Sequence, residues 1–131
     1  IKNFRHHHHP KYTDVATNSK MSELDCACMM IKAKYLEEWE RRRKEIAKYW
    51  MENCKYKVLI NDLYTHAVQK FVIQLDDRDD FREKVCYSTR INYPYTLAPT
   101  ENAVKLSKTV VSLPIYPELT DAEVEIIHDS L

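Results

Sequence analysis

Glycine is absent from all 131 residues of the chain, where an average protein of this length contains about nine. The absence excludes the glycine-dependent phosphate loops, namely the P-loop and the dinucleotide-binding fingerprint, and also the nucleophile elbow of α/β-hydrolases. Any backbone position with a positive φ must then be filled by a residue that carries a side chain, which is costly in that region.

An excess of charge of either sign is also absent, because twenty basic residues balance twenty acidic ones. Nucleic-acid binding requires a basic surface, so we predict no nucleic-acid partner. No apolar run approaches the ~20 residues that a membrane span needs, and we predict no membrane association. Residues 1–5 contain no apolar leader of a secretory signal; the cysteines, Cys26, Cys28, Cys54 and Cys86, are therefore interpreted as reduced thiols of a cytoplasmic protein.

The apolar pattern predicts one long amphipathic helix over residues 22–52. Leu24, Cys28, Ile31, Tyr35 and Trp39 recur at helical spacing, and no proline interrupts residues 21–53. Charged residues occupy the opposite face, as expected for a helix that packs on one side. We therefore divide the chain into a surface arm or loop (1–20), a long connecting helix (21–53) and a small α/β domain (54–131).

The period of the pattern changes after residue 53. The pattern predicts strands over residues 56–60, 67–75, 86–91 and 109–113. It predicts helices over residues 78–85, 100–107 and 121–130. Thr120 and Glu123 have the spacing of a capping box, with Leu119 and Val124 at the positions of a hydrophobic staple. The expected fold class is α/β, with a small, mostly antiparallel sheet covered by helices on one side.

Three local motifs could bind metal ions, but each has a simpler interpretation. His6–His9 can bind a metal weakly; consecutive loop residues diverge, so a solvated loop or a cloning remnant is favoured. Cys26 and Cys28 are two apart on a helix and face away from each other, so we place them in or near a helix core. The acidic run Asp76–Asp80 lacks the glycine of a calcium loop and fits a helix N-terminus. We predict no metal site, and spacing alone defines no catalytic residue.

Several segments in sequence order resemble the DegT/DnrJ/EryC1/StrS aminotransferases. Residues 18–24 (NSKMSEL) and the following residues 34–39 and 41–47 resemble the family's N-x-R-M-S-E-L segment and the long helix after it. Residues 66–78 resemble its small-domain strand and "RD" turn. Residues 88–94 (STRINYP) resemble its T-x-I-H-Y-P loop, and residues 112–120 (SLPIYPELT) its C-terminal signature.

The resemblance implies the C-terminal small domain of a fold-type I aminotransferase that depends on pyridoxal phosphate (PLP). The family transfers an amino group, usually from glutamate, to a keto-sugar linked to a nucleotide. Its Schiff-base lysine lies in a preceding large domain that these residues do not resemble, so we expect the isolated chain to be inactive. The implied partners are a second copy of the chain, as a homodimer, or a chain that carries the large PLP domain.

The resemblance also implies site residues. Asn18 matches the family's asparagine that reaches the PLP phosphate of the other subunit, and Lys20 stands where the family has arginine; a plain helix cap explains Asn18 equally well. Asn92 stands where the family has the histidine of its substrate loop, and Tyr93 is retained. The expected sites are thus Asn18 and Lys20 for the cofactor, and Asn92 and Tyr93 for the substrate.

Two alternatives to the aminotransferase interpretation stay open. The first is a non-catalytic module that dimerises through the long helix or binds a partner chain. An exposed apolar stripe on that helix would favour it. The second is a metal-binding module built on His6–His9.

Overall fold

The computed structural model describes residues 21–96 and 98–131. The chain divides after Leu36 into two units, and each is described by itself. His6–His9, Asn18 and Lys20 lie outside the described residues, as does the predicted arm 1–20.

The first unit contains helix α1 (Glu23–Ala33). The predicted N-cap is confirmed, because the Ser22 hydroxyl accepts a 3.1 Å hydrogen bond from the Asp25 amide and donates one of 2.7 Å to the Asp25 carboxylate. No residue of α1 is buried. Cys26 and Cys28 are both exposed, so their predicted place in a helix core is wrong.

The prediction of one uninterrupted helix over 22–52 is also wrong, since a turn at Lys34 and Tyr35 separates α1 from helix α2 (Leu36–Asn53). The Lys34 amide donates to Ile31 O (3.1 Å), and the Tyr35 amide donates to Lys32 O (3.0 Å). These bonds span three residues and tighten the backbone as a 3₁₀ turn does. Side-chain periodicity gives little sign of such a change, because both residues are ordinary helix formers.

The second unit is built on a three-stranded antiparallel sheet in the order β1-β2-β3. Its strands are β1 (Lys57–Val58), β2 (Phe71–Gln74) and β3 (Val110–Leu113). Helices α3 (Arg78–Lys84), α4 (Glu101–Thr109) and α5 (Asp121–His128) complete it. The expected α/β class with a small antiparallel sheet is confirmed.

Strand register divides the sheet into two faces. Phe71 pairs with Leu113 and Ile73 with Val111, and all four side chains are buried. They form the core with the inner faces of α2 and α5, where Trp50 packs edge-on against Phe71 with 5.2 Å between ring centroids. The remaining core residues are Ile46, Ala47, Ile60, Val68, Leu75, Phe81, Ile115, Leu119, Val124, Ile127 and Leu131.

Three predicted strands are shorter than expected. The strand predicted at 56–60 is reduced to Lys57–Val58. The strand predicted at 67–75 begins only at Phe71, because Val68 has a left-handed backbone with φ of 47° and cannot continue an extended chain. The strand predicted at 86–91 is reduced to a single bridge between Arg90 and Ser112. Here Tyr87 is drawn toward the end of α5, where its hydroxyl lies 2.5 Å from that of Ser130.

The sequence correctly predicted how helices α5 and α3 begin. Thr120 and Glu123 form both bonds of the predicted capping box, and the staple residues Leu119 and Val124 are buried. The acidic run begins α3 as predicted, with Asp79 and Asp80 in its first turn. No helix within the described residues is long and apolar enough to cross a membrane.

Candidate functional site

A cavity of about 510 Å³ lies on the face of the sheet that points away from the core. It is bounded by β2 and β3, by α4, and by the segment that follows the Arg90–Ser112 bridge. Its described lining residues are Leu59, Lys70, Val72, Arg90, Asn92, Tyr93, Tyr95, Thr96, Ala98, Thr100, Ala103, Leu106, Ser107, Val110, Val111 and Ser112. We call it the sheet cavity.

The floor of the sheet cavity is apolar for a reason that can be read from the strands. Val72 and Val110 alternate along β2 and β3 with the core residues Ile73 and Val111, so their side chains lie on the opposite face, where both line the sheet cavity. Leu106 extends the apolar surface from α4. An apolar floor with a few polar groups at its rim is typical of a small-molecule site.

The charge on the sheet cavity has one sign. Lys70 and Arg90 line it, and none of its described lining residues is a carboxylate. Two cations without a compensating acid produce a positive potential over an apolar, low-dielectric floor, and such a surface attracts anions. A phosphate-bearing ligand therefore fits this site better than a cationic one.

Asn92 holds the loop against the sheet. Its Nδ2 donates a 2.6 Å hydrogen bond to Oγ of Ser112. Two residues earlier in the chain, Arg90 exchanges two backbone hydrogen bonds of 2.9 Å with the same serine. Ser112 is buried, so this contact fixes the loop at the cavity edge. The side chain at position 92 thus has a structural use besides any contact with substrate.

Two tyrosines stand at the rim. Tyr93 is 70% exposed and Tyr95 is 76% exposed, which is unusual for large aromatic side chains that serve only to pack. The Lys70 ammonium lies 5.7 Å from the centre of the Tyr93 ring, within the range of a cation–π contact. The pair presents a flat ring and a positive charge side by side.

The structure thus brings together the two predicted substrate residues, Asn92 and Tyr93, in one cavity. The predicted cofactor residues, Asn18 and Lys20, lie outside the described residues and are not tested. Lys70, Arg90 and Tyr95 were not predicted. Arg90 could have been found from its place two residues before Asn92, whereas Lys70 becomes a cavity residue only through the pairing of β2 with β3.

Two other features are less suited to a site. A larger groove of about 780 Å³ includes Lys55, Asp80 and Cys86, but it mixes acids with bases and contains none of residues 88–94. Glu125, His128 and Asp129 place possible ligand atoms within 4.8 Å of one another.

That carboxylate–histidine group is already engaged in other contacts. The Tyr49 hydroxyl donates to the Glu125 carboxylate (2.9 and 3.0 Å), which raises the pKa of Tyr49. The Tyr49 ring also stacks on His128, with 4.6 Å between centroids. We therefore assign this group no metal ion.

Comparison with known proteins identifies the family. A model of the DegT/DnrJ/EryC1/StrS aminotransferase family matches residues 1–131. The dTDP-3-amino-3,6-dideoxy-alpha-D-galactopyranose transaminase of Aneurinibacillus thermoaerophilus is 31% identical over 137 residues, covering 89% of this chain and 38% of that protein. The erythromycin biosynthesis sensory transduction protein EryC1 of Saccharopolyspora erythraea is 28% identical, covering 79% of this chain and 34% of that protein.

Solved structures agree on the fold. DesV of S. venezuelae, determined in complex with a ketimine intermediate, superimposes with a TM-score of 0.86 at 21% identity, covering 98% of this chain and 41% of that one. A DegT DnrJ EryC1 StrS aminotransferase from Brucella abortus gives 0.85 at 20% identity, with the same coverage of both chains. The chain spans about two-fifths of the length of these relatives, and it belongs to the DegT/DnrJ/EryC1/StrS aminotransferase family.

Proposed function

We propose that this chain supplies the C-terminal domain of a PLP-dependent aminotransferase that acts on nucleotide-linked keto-sugars, with glutamate as the amino donor. The observation that carries the proposal is the sheet cavity, in which the family-like loop places Asn92 and Tyr93 beside two cations. The relative from Aneurinibacillus, whose name specifies a dTDP-linked amino-sugar, supports a nucleotide-sugar as the ligand class.

Each group in the cavity has a defined task in this proposal. Lys70 and Arg90 offset the negative charge of a diphosphate, and arginine can do so with two parallel hydrogen bonds. The exposed ring of Tyr93 provides a surface on which a base or sugar ring stacks. Asn92 positions the loop through Ser112 and presents the rest of its amide to the ligand. These tasks are binding and orientation, and none of them is a chemical step.

The cofactor assignment rests on the family. PLP supplies an electron sink for amino-group transfer when it is bound through a lysine amine. The described residues do not test the contact of Asn18 or Lys20 with its phosphate. Both described lysines that form ion pairs are poor candidates for the bound amine: Lys44 lies 2.7 Å from Glu40, and Lys84 lies 2.6 Å from Asp80, which raises its pKa. The expectation that the Schiff-base lysine belongs to a large domain rests on the family resemblance and stays a prediction.

Ligand titration followed by NMR tests the proposal. Adding dTDP to the 131-residue chain should shift the amide signals of the sheet cavity, and Lys70→Ala combined with Tyr93→Ala should weaken binding at least tenfold. Tyr64→Ala is the matched control, because Tyr64 is an exposed tyrosine (89%) outside the sheet cavity. The proposal fails if dTDP shifts no cavity signal, or if the control weakens binding equally.

A partner-binding function is the second candidate, and the exposed face of α1 favours it. Four apolar residues of α1, Leu24, Met29, Met30 and Ile31, are each more than half exposed. A helix that is apolar on most sides is normally buried. A homodimer partner or a chain that carries the large domain could cover it.

A further inference from the structure

The floor of the sheet cavity contains a buried hydroxyl group. Among the described lining residues, Ser112 is the only polar residue that is buried, with 8% of its surface exposed. Strand alternation places its side chain there, because its neighbours Val111 and Leu113 belong to the core on the other face. Its partner on β2 is Val72, which also lines the cavity. A hydroxyl in such apolar surroundings is costly unless its hydrogen-bonding capacity is used.

Only part of that capacity is used within the chain. A serine hydroxyl has one donor hydrogen and two acceptor lone pairs. The Ser112 oxygen accepts the 2.6 Å bond from Nδ2 of Asn92, but none of the described residues accepts a hydrogen bond from the hydroxyl hydrogen. The backbone amide and carbonyl of Ser112 are already bonded to Arg90. The hydroxyl hydrogen is therefore the group of this residue that is left for a ligand.

Asn92 provides an acceptor beside this donor. It uses Nδ2 for the bond to Ser112, and no described residue donates a hydrogen bond to its Oδ1, although an amide oxygen can accept two. Both residues line the sheet cavity. Together they present an uncharged donor and an uncharged acceptor next to each other. A ligand group that both accepts and donates, such as a hydroxyl, complements this pair.

The charged groups of the cavity lie nearer its exposed rim. The Lys70 ammonium is 5.7 Å from the ring of Tyr93, which is exposed, and Arg90 is exposed as well. A phosphate placed over the Ser112 hydroxyl would exchange water for an apolar floor, and one neutral hydrogen bond does not offset the cost of burying an anion. An uncharged oxygen has a much smaller desolvation cost, so the floor favours a neutral ligand group.

We propose that Ser112 is a ligand-binding residue of the sheet cavity: its hydroxyl donates a hydrogen bond to a hydroxyl group of a sugar, and Oδ1 of Asn92 accepts one from that group. The sugar then lies on the floor, and the diphosphate lies at the rim beside Lys70 and Arg90. This inference rests on the proposed function, because it specifies which part of a nucleotide-sugar contacts the floor.

Calorimetric titration of the 131-residue chain with dTDP and with dTDP-glucose tests the assignment, since the ratio of the two dissociation constants measures what the sugar contributes. Ser112→Ala should weaken dTDP-glucose binding about fivefold, as expected for one neutral hydrogen bond, and dTDP binding less than about twofold. If Ser112 only held the loop in place, its loss would weaken both ligands alike, because the loop also carries Tyr93 and Arg90.

Ser107→Ala is the matched control. Ser107 also lines the cavity, but its hydroxyl already donates a 2.9 Å hydrogen bond to Val104 O, so its loss should leave the ratio unchanged. Threonine and valine at position 112 control for side-chain volume, because they have the same shape and only threonine has a hydroxyl. Ser112→Thr should keep the contribution of the sugar, and Ser112→Val should lose it.

The titrations separate this inference from the proposed function. A chain that binds dTDP, but whose sugar contribution is equal in the wild type, Ser112→Ala and Ser107→Ala, overturns the role of Ser112 and leaves the proposed function in place. Equal ratios for Ser112→Thr and Ser112→Val also overturn that role. A chain that binds neither compound overturns both.

Discussion

At the scale of single residues, Val68 shows what the absence of glycine costs. Its φ of 47° lies in a region that β-branched residues rarely occupy, at a cost of about 1–3 kcal/mol. The side chain is nevertheless completely buried, and the Val68 amide donates a 2.9 Å hydrogen bond to Nδ1 of His66. Burial and this local bond stabilise a backbone conformation that the residue itself disfavours.

Replacing Val68 should therefore reverse a usual ranking. At a buried strand position such as Val111, glycine is expected to be less stable than alanine by about 0.5–1 kcal/mol, because glycine loses more backbone entropy on folding. At Val68, glycine also relieves the left-handed strain, so Val68→Gly should be no less stable than Val68→Ala. Urea denaturation of the four variants measures both differences. A Val68→Gly protein less stable than Val68→Ala by the same margin as at Val111 would show that position 68 is unstrained.

At the scale of secondary-structure elements, α5 is the best specified by its own sequence. The Thr120 hydroxyl accepts from the Glu123 amide (3.3 Å), and the Glu123 carboxylate accepts from the Thr120 amide (2.8 Å). The Glu123 carboxylate accepts from the Thr120 amide and also from the Thr120 hydroxyl (2.7 Å), and these two bonds, the amide first, hold the pKa of Glu123 below its ordinary value. Since the bonds link residues three apart, their pattern could be read directly from the sequence.

Removing this cap should destabilise the protein in a pH-dependent way. Thr120→Ala is expected to cost about 1 kcal/mol. Because the folded-state pKa of Glu123 is lowered, its contribution is complete above its unfolded-state pKa and is lost as the pH falls through the folded value. Glu123→Gln should therefore reduce stability at pH 7 and have a smaller effect at pH 3. Urea denaturation at both pH values measures this, and an equal loss at pH 3 would contradict the assignment.

Elements that depend on distant contacts were predicted less well. The α/β class and the capping of α1 and α5 followed from local patterns, so they could be predicted. The strand expected at 86–91 could not be judged locally, because Tyr87 turns toward Ser130, which lies 43 positions further along the chain. Lys70 could not be assigned to the sheet cavity for the same reason, because its place there depends on the pairing of β2 with β3. Hydrophobic alternation indicates which face of a segment is buried, but it does not indicate which other segment packs against that face.

At the scale of the whole molecule, the chain combines a packed core with an unpacked first helix. Core residues come from α2, the sheet, α3 and α5, whereas α1 buries none of its residues. A family member of which this chain spans about two-fifths has more polypeptide with which such a helix could pack. The packed core of the second unit and the exposed helix α1 therefore belong to separate units of the chain.

The cofactor prediction belongs to this scale. Mixing the 131-residue chain with PLP and then borohydride should give no single lysine modified stoichiometrically, because aldimine formation needs an unprotonated amine and an ordered pocket. Lys84, with its raised pKa, is the opposite of such an amine. Peptide mass spectrometry provides the measurement, with acetylation of the same lysines as a reactivity control. One fully modified lysine would show that the chain holds the cofactor by itself.

The bridge between Arg90 and Ser112 should affect how readily this protein aggregates. Strand β3 lies at the edge of the sheet. The bridge covers this edge at Ser112, and the hydrogen bond from the Asn92 amide reinforces it. Open edges recruit further strands from neighbouring molecules. A protease that cut the exposed segment around Tyr93–Tyr95 would release this cover, so nicked material should form β-rich aggregates sooner than intact material.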